Sequence, residues 1–154
     1  MNLNKVRFTE EHAIEVTKWK YEGEYSIYNL PSWEEIKKNK FSLAKEEKRK
    51  NFISFIDDSK ELIGFINLLD EGDSVFFGIG IKPDYCGKGI GKEIISLGLQ
   101  EYKNRYNDKP IILEVRTWNT RAVKCYEFQG FKIVDTKKQK THLGDGEFFV
   151  MKYQ

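Results

Sequence analysis

The spacing of hydrophobic positions along the chain changes between a two-residue and a helical period, and these changes predict the order of its elements. Short apolar runs predict strands over Lys5 to Phe8, Asn51 to Ile56, Leu62 to Leu68, Val75 to Ile81, Ile111 to Val115, Phe131 to Val134 and Phe148 to Met151. Helical spacing predicts helices after Thr9, after Ser32, from a glycine-rich turn to about Tyr106, and from Asn119 or Thr120 to Gly130. The residues from Phe41 to Lys50 fit either a helix or a loop. The order β-α-α-β-β-β-α-β-α-β-β predicts an α/β fold with a mixed sheet.

Length and composition predict one globular domain over residues 1–154. Hydrophobic residues make up 40% of the chain, which is enough for a core. The 26 basic and 24 acidic residues leave a formal net charge of +2, which does not indicate a nucleic-acid-binding protein. No apolar run approaches the roughly 20 residues of a membrane span. We therefore expect a cytoplasmic monomer or homodimer with no nucleic-acid or membrane partner.

The sulfur and imidazole side chains do not predict a metal site. Cys86 and Cys125 form no Cys-x-x-Cys pair, and His12 and His142 are isolated in the sequence. This pattern is typical of a reduced cytosolic protein rather than a zinc or disulfide scaffold.

The strongest chemical signal is the glycine-rich segment that follows the strand over Val75 to Ile81. A Pro83-Asp84 turn leads into it, and the next helical pattern begins inside it. Free backbone N–H groups and the positive end of a helix dipole attract an anion at such a place. The sequence therefore predicts a phosphate-binding turn. Its amides belong to Gly87, Lys88, Gly89, Ile90, Gly91 and Lys92.

Two common nucleotide-binding motifs do not fit this turn. A Walker loop would need glycine where Cys86 stands and a hydroxyl residue where Glu93 stands. A dinucleotide fingerprint would need glycine where Lys92 stands.

The segment from Ile81 to Gly91 resembles the acetyl-CoA-binding motif of the GNAT family of N-acetyltransferases. A second block resembles the later part of the same family, with Leu113-Glu114-Val115-Arg116 followed by Asn119, Ala122, Tyr126 and Gly130-Phe131. The resemblance implies the GNAT fold, and acetyl-CoA as cosubstrate with its pyrophosphate on the turn amides. The Glu114 segment is also similar to that of ribosomal-protein alanine N-acetyltransferases. Cys86 departs from the family pattern, which has Gln or Arg there.

The resemblance implies roles for two titratable side chains. Glu114 stands where the alanine acetyltransferases have their general base, which would take a proton from the acceptor amine. Strand alternation places it opposite Leu113 and Val115, so an outward-facing carboxylate paired with a lysine is the alternative. Tyr126 is the candidate acid for the departing thiolate, and a core aromatic at helical spacing is the alternative.

Backbone groups of the preceding strand are expected to bind the cofactor arm. Two glycines in that strand predict a bulge or a close approach to the backbone. The amides of Ile79, Gly80 and Ile81 would then bond pantetheine and the thioester oxygen. Asn119 contacts the cofactor by resemblance, and an ordinary helix N-cap is its alternative.

The acceptor is expected to be a primary amine, either on a small molecule or at a protein N-terminus. The segment from Trp19 to Tyr28 is aromatic and acidic, and in this family it would line the acceptor site. Two other functions stay open at this point. One is a regulatory module that binds acyl-CoA without turnover, and the other is a phosphate-binding adaptor unrelated to CoA.

Overall fold

The computed structural model describes residues 1–141 and 144–153. The strands are β1 (Asn4–Arg7), β2 (Phe52–Ile56), β3 (Leu62–Asp70), β4 (Val75–Ile81), β5 (Ile111–Arg116), β6 (Phe131–Thr141) and β7 (Gly144–Tyr153). The α-helices are α1 (Glu10–Thr17), α2 (Trp33–Lys38), α3 (Glu46–Arg49), α4 (Ile90–Arg105) and α5 (Thr120–Gln129). Short 3₁₀ helices cover Gly23–Tyr28, Ser42–Ala44 and Pro83–Tyr85. This order confirms the predicted one and adds the one-turn helix α3.

The strands form a mixed sheet in the order β1-β2-β3-β4-β5-β7-β6. β4 and β5 are parallel, with Val75 opposite Ile111 and Phe76 opposite Ile112. β1 with β2, β2 with β3, β5 with β7, and β6 with β7 are antiparallel. The expected mixed α/β class is therefore confirmed. No helix in the described residues is long and apolar enough to cross a membrane.

Residue contacts group the chain into two compact units. The first contains Met1–Asn67 and Ile79–Ile90, and the second contains Leu68–Gly78 and the chain from Gly91 onward. The single domain predicted from length stays a prediction.

The first unit has an aromatic core. Trp19 stacks on Phe65 with ring centroids 6.1 Å apart, and Phe8 packs against both Phe52 and Phe65. Trp19 is 5% exposed. Its indole N–H has no hydrogen-bond partner among residues 1–141 and 144–153.

Local hydrogen bonds fix where the first two helices begin. Thr9 caps α1 through a capping box in which His12 replaces the usual Glu or Gln. The Nδ1 atom of His12 also lies 2.8 Å from Oγ of the fully buried Ser54. Ser32 caps α2 as predicted, because its Oγ accepts the backbone N–H of Glu35. The segment expected to be a loop from Trp19 to Tyr28 contains a 3₁₀ helix over Gly23–Tyr28.

The second unit contains a longer hairpin than the sequence predicted. β6 extends to Thr141 and β7 begins at Gly144, whereas the apolar pattern predicted short strands over Phe131 to Val134 and Phe148 to Met151. The added residues of β6 are polar and mostly exposed, so hydrophobic alternation does not reveal them; they are held by a continuous ladder to β7. The predicted turn over Leu143 to Gly146 is wrong from Gly144 onward, and Leu143 and His142 lie outside the described residues.

Candidate active site

In the first unit, the end of β4 is shaped by a ring that packs on a glycine. A Cβ added at Gly80 would overlap the Phe65 ring, lying 2.5 Å from its Cζ atom and 3.1 Å from its Cδ1 atom. Only glycine therefore fits at this position while the Phe65 ring stays in place. The close approach predicted at the glycines of β4 is made, at Gly80, by a side chain of β3.

The last residue of β4 has two side chains at its carbonyl oxygen. The Tyr21 hydroxyl donates a 2.7 Å hydrogen bond to the carbonyl of Ile81. The Sγ atom of Cys86 lies 3.7 Å from the same oxygen and 3.7 Å from the carbonyl of Lys82. Burial, followed by the nearby Cys86 thiol, raises the pKa of the Tyr21 phenol far above its ordinary value of about 10. Tyr21 is therefore a permanent donor at physiological pH.

A carboxylate from the β2–β3 turn holds the chain just before the glycine-rich turn. The Glu61 side chain accepts from Nζ of Lys82 at 2.5 Å and from the Tyr85 hydroxyl at 3.1 Å. The Lys82 hydrogen bond, then the Tyr85 hydrogen bond, hold the pKa of Glu61 below its ordinary value. No sequence pattern indicates this cluster, because Glu61 follows a polar turn of the kind that is usually a solvated loop.

The glycine-rich turn contains two glycines with left-handed backbones. Gly87 and Gly89 have φ angles of 76° and 82°, in the left-handed region that favours glycine. Gly87, Lys88 and Gly89 are exposed, and α4 begins at Ile90. A Cβ added at Gly89 or Gly91 would meet no atom within 4 Å, so both backbones border open space. The left-handed glycines precede a 16-residue helix, and the phosphate-binding role predicted for this turn stays a prediction.

In the second unit, Lys92 on the first turn of α4 packs against the end of α5. Its Nζ atom lies 4.2 Å from the centroid of the Phe128 ring, and its carbonyl accepts a 3.0 Å hydrogen bond from Nε2 of Gln129. These contacts hold the Lys92 ammonium over an aromatic face.

Glu114 lies in β5 on the face opposite Leu113 and Val115, as strand alternation predicted. Its Oε2 atom is 2.6 Å from Nζ of Lys137 in β6. The Glu114 side chain is 20% exposed and that of Lys137 is 39% exposed. The lysine pairing expected from the alternative interpretation is thus present, in a half-buried position that water can reach.

Asn119 and Tyr126 are carried by one helix. Asn119 is 7% exposed and caps α5, with its Oδ1 atom accepting the backbone N–H of Ala122 at 3.3 Å. Tyr126 is 9% exposed, and its ring makes an edge contact with Phe131 at 5.9 Å. The predicted cap and core positions are confirmed, while the chemical roles of both residues stay predictions.

The site residues predicted from the sequence fall into two groups. The first unit contains Ile79, Gly80, Ile81, Gly87, Lys88, Gly89 and Ile90, and the second contains Gly91, Lys92, Glu114, Asn119 and Tyr126. Within residues 1–141 and 144–153, no group of three or more His, Cys, Asp or Glu side chains is placed to hold a metal ion.

Comparison with known proteins gives one family. The profile described as "Acetyltransferase (GNAT) family" matches residues 11–131. The spermidine N(1)-acetyltransferase of Thermoplasma acidophilum is 31% identical over 148 residues, covering 92% of this chain and 86% of that protein. The mycothiol acetyltransferase of Corynebacterium efficiens is 32% identical over 89 residues, and the chain spans only 30% of that relative's length.

Solved structures show the same fold. A spermidine N-acetyltransferase chimera derived in part from Vibrio cholerae has a TM-score of 0.78 at 22% identity, covering 99% of this chain and 96% of that one. The ribosomal-protein alanine N-acetyltransferase of Escherichia coli has a TM-score of 0.70 at 17% identity, covering 99% and 93%.

Proposed function

The chain belongs to the Acetyltransferase (GNAT) family, and on that premise we propose that it transfers the acetyl group of acetyl-CoA to a primary amine by direct attack in a ternary complex. The observation that carries this proposal is the open glycine-rich turn at the start of α4. The turn amides from Gly87 to Lys92 bind the pyrophosphate of acetyl-CoA. The backbone of Ile79, Gly80 and Ile81 bonds the pantetheine arm, and Asn119 contacts the cofactor while capping α5.

Acetyl transfer to an amine needs a base for the amine and an acid for the thiolate. An alkyl ammonium with a pKa of about 10.4 costs roughly 4–5 kcal/mol to deprotonate at pH 7, so a carboxylate nearby or one water away assists the step. Glu114 takes this role, and its 20% exposure lets water reach the carboxylate. Tyr126 gives its phenolic proton to the departing thiolate.

We assign the acceptor to the class of small polyamines. The spermidine acetyltransferase relative matches nearly the whole chain in sequence, whereas the alanine acetyltransferase is similar in fold only. The 3₁₀ segment after α1 carries the exposed Glu24 and follows the exposed Glu22, and α2 begins with Glu34 and Glu35. These carboxylates complement a substrate with several ammonium groups, whereas a protein N-terminus offers one.

A thiol-release assay with acetyl-CoA tests the proposal directly. The panel contains putrescine, spermidine, spermine and a peptide with an N-terminal alanine. We expect the polyamines to be the better substrates and Tyr126→Phe to lower kcat. Calorimetry should show binding of acetyl-CoA and none of ATP; tight ATP binding would overturn the CoA assignment.

A regulatory module that binds acyl-CoA without turnover is the second candidate. Two observations favour it, because Glu114 is already ion-paired with Lys137 and Cys86 replaces the family's Gln or Arg. Acetyl-CoA binding without thiol release on any amine of the panel would support this second function over the first.

A further inference from the structure

One carboxylate contacts both ends of the short segment between β4 and the glycine-rich turn. Lys82 precedes the 3₁₀ turn Pro83–Tyr85 and Tyr85 ends it. Glu61 accepts from both, at 2.5 Å from Lys82 Nζ and 3.1 Å from the Tyr85 hydroxyl. One side chain therefore ties down both ends of the turn that delivers the chain to Gly87.

Glu61 itself belongs to a hydrogen-bonded turn. The Glu61 N–H donates to Oδ1 of Asp57 at 2.9 Å, and the Glu61 carbonyl accepts the Asp57 N–H at 3.0 Å. At the far side, the Lys82 N–H donates to the carbonyl of Ile63 at 2.8 Å. The β2–β3 hairpin thus holds the residues before the glycine-rich turn through one side chain and one backbone bond.

We propose that Glu61 is a positioning residue that sets the place of the Gly87 to Ile90 amides for acetyl-CoA through its contacts with Lys82 and Tyr85. The inference rests on the proposed acetyl-CoA site and extends it to a residue outside the family motifs. Glu61 touches neither the acceptor nor the thioester in this role, so it is not a catalytic residue.

The contacts fit positioning better than a contribution to global stability. The side chains of Lys82 and Glu61 are 24% and 33% exposed, and partly exposed ion pairs contribute little to the free energy of unfolding. Their effect is concentrated on the local turn, whose order is separable from global unfolding. The ion pair also holds the Lys82 ammonium beside the β2–β3 hairpin, so the Lys82 side chain does not rotate freely.

Acetyl-CoA affinity measured by calorimetry tests the proposal without requiring turnover. We compare wild type with Glu61→Gln, Tyr85→Phe and Lys82→Met, and use Glu71→Gln in the exposed β3–β4 turn as the matched control. We expect Glu61→Gln to weaken acetyl-CoA binding about 5- to 20-fold, with a melting temperature close to that of wild type. Glu71→Gln should bind like wild type. In steady-state kinetics, KM for acetyl-CoA should rise with little change in kcat or in KM for the amine.

A charge-swapped double variant tests whether acetyl-CoA affinity depends on the ion pair itself rather than on the identity of either side chain. Glu61→Lys combined with Lys82→Glu restores an ion pair and should bind acetyl-CoA more tightly than either single variant. If wild type binds acetyl-CoA and Glu61→Gln binds it with equal affinity, the inference is overturned and the proposed function stands. The inference is also overturned if the double variant binds acetyl-CoA no more tightly than the single variants do. Wild type that fails to bind acetyl-CoA would instead overturn the proposed function, and the role of Glu61 with it.

Discussion

The Tyr21 hydroxyl donates a 2.7 Å hydrogen bond to the carbonyl oxygen of Ile81, the last residue of β4. The bond joins the segment after α1 to the strand end that we propose to bind pantetheine. Burial raises the pKa of this phenol, so the donor keeps its proton throughout the physiological range. The place of the Ile81 peptide therefore depends on a residue sixty positions earlier in the chain.

Tyr21→Phe should expose this dependence. Removing the hydroxyl leaves the Ile81 carbonyl without its main donor, so we expect a loss of about 1–2 kcal/mol in the free energy of unfolding. KM for acetyl-CoA should rise several-fold because the peptide is no longer fixed. Urea denaturation and steady-state kinetics measure the two effects. Tyr106→Phe is the matched control, and equal losses in both variants would contradict the assigned role of the bond.

Gly80→Ala should disturb the same strand end by a different route. The added methyl group overlaps the Phe65 ring, so either the ring or β4 has to move. We expect at least a tenfold loss of acetyl-CoA affinity by calorimetry. Gly80→Ala combined with Phe65→Leu removes the overlap and should recover part of the affinity. Phe41→Leu, at a residue that is 47% exposed, is the control for the Phe-to-Leu change.

Gly91→Ala should separate folding from binding. Gly91 is the second residue of α4 with open space around a Cβ, and Gly→Ala at a compatible backbone stabilises a protein by about 0.4–1 kcal/mol because the unfolded chain has less entropy to lose. We therefore expect a higher melting temperature. Because that open space is where the proposed pyrophosphate lies, acetyl-CoA affinity should fall. A stabilised variant with unchanged affinity would argue against the phosphate-binding turn.

The order of elements could be predicted from the sequence because each carries its own signal. Thr9 and Ser32 mark helix starts by their hydroxyl groups, and Gly130 ends α5 with a φ of 109°. The polar half of β6 carries no such signal, since its residues are strand only because they pair with β7. Pattern predicts elements that bury an apolar face, and it misses those that are held by a ladder alone.

Glu114→Gln tests the proposed base. Loss of a general base lowers kcat by about 10²- to 10⁴-fold, and we expect a decrease in that range at pH 7. Lys137→Met removes the partner 2.6 Å away and releases the carboxylate, so kcat should stay within a few-fold of wild type. Thiol-release assays at saturating amine give kcat for both variants. Unchanged kcat in Glu114→Gln would assign this residue to the ion pair alone.

His12 should make stability depend on pH. Burial, opposed by nearby Glu15, lowers its pKa below the unfolded value of about 6.5. The neutral ring is the acceptor for the Thr9 N–H, so its contribution is fully present above that pH and is lost as the pH falls through the folded pKa. Glutamine also accepts in a capping box but does not titrate. Wild type should therefore lose more free energy of unfolding than His12→Gln between pH 7 and pH 5, in urea titrations at each pH.

The candidate site was only partly visible in the sequence. The glycine-rich turn and the Asn119 and Tyr126 block carry local patterns, so their positions could be predicted. Glu61 could not, because its contacts with Lys82 and Tyr85 span 21 and 24 positions and arise only when the hairpin meets the end of β4. The same holds for the ion pair between Glu114 and Lys137, which brings β5 and β6 together across β7.

The stack of Trp19 on Phe65 gives this protein a built-in optical reporter. The indole is 5% exposed, and its N–H has no partner among the described residues, so its fluorescence should be that of a dry, apolar surrounding. The ring that it stacks on is the one that packs against Gly80. In a variant with Trp33 and Trp118 replaced by Phe, emission from Trp19 should therefore respond to movements of the strand end at Gly80, and ligand binding can be followed without attaching a label.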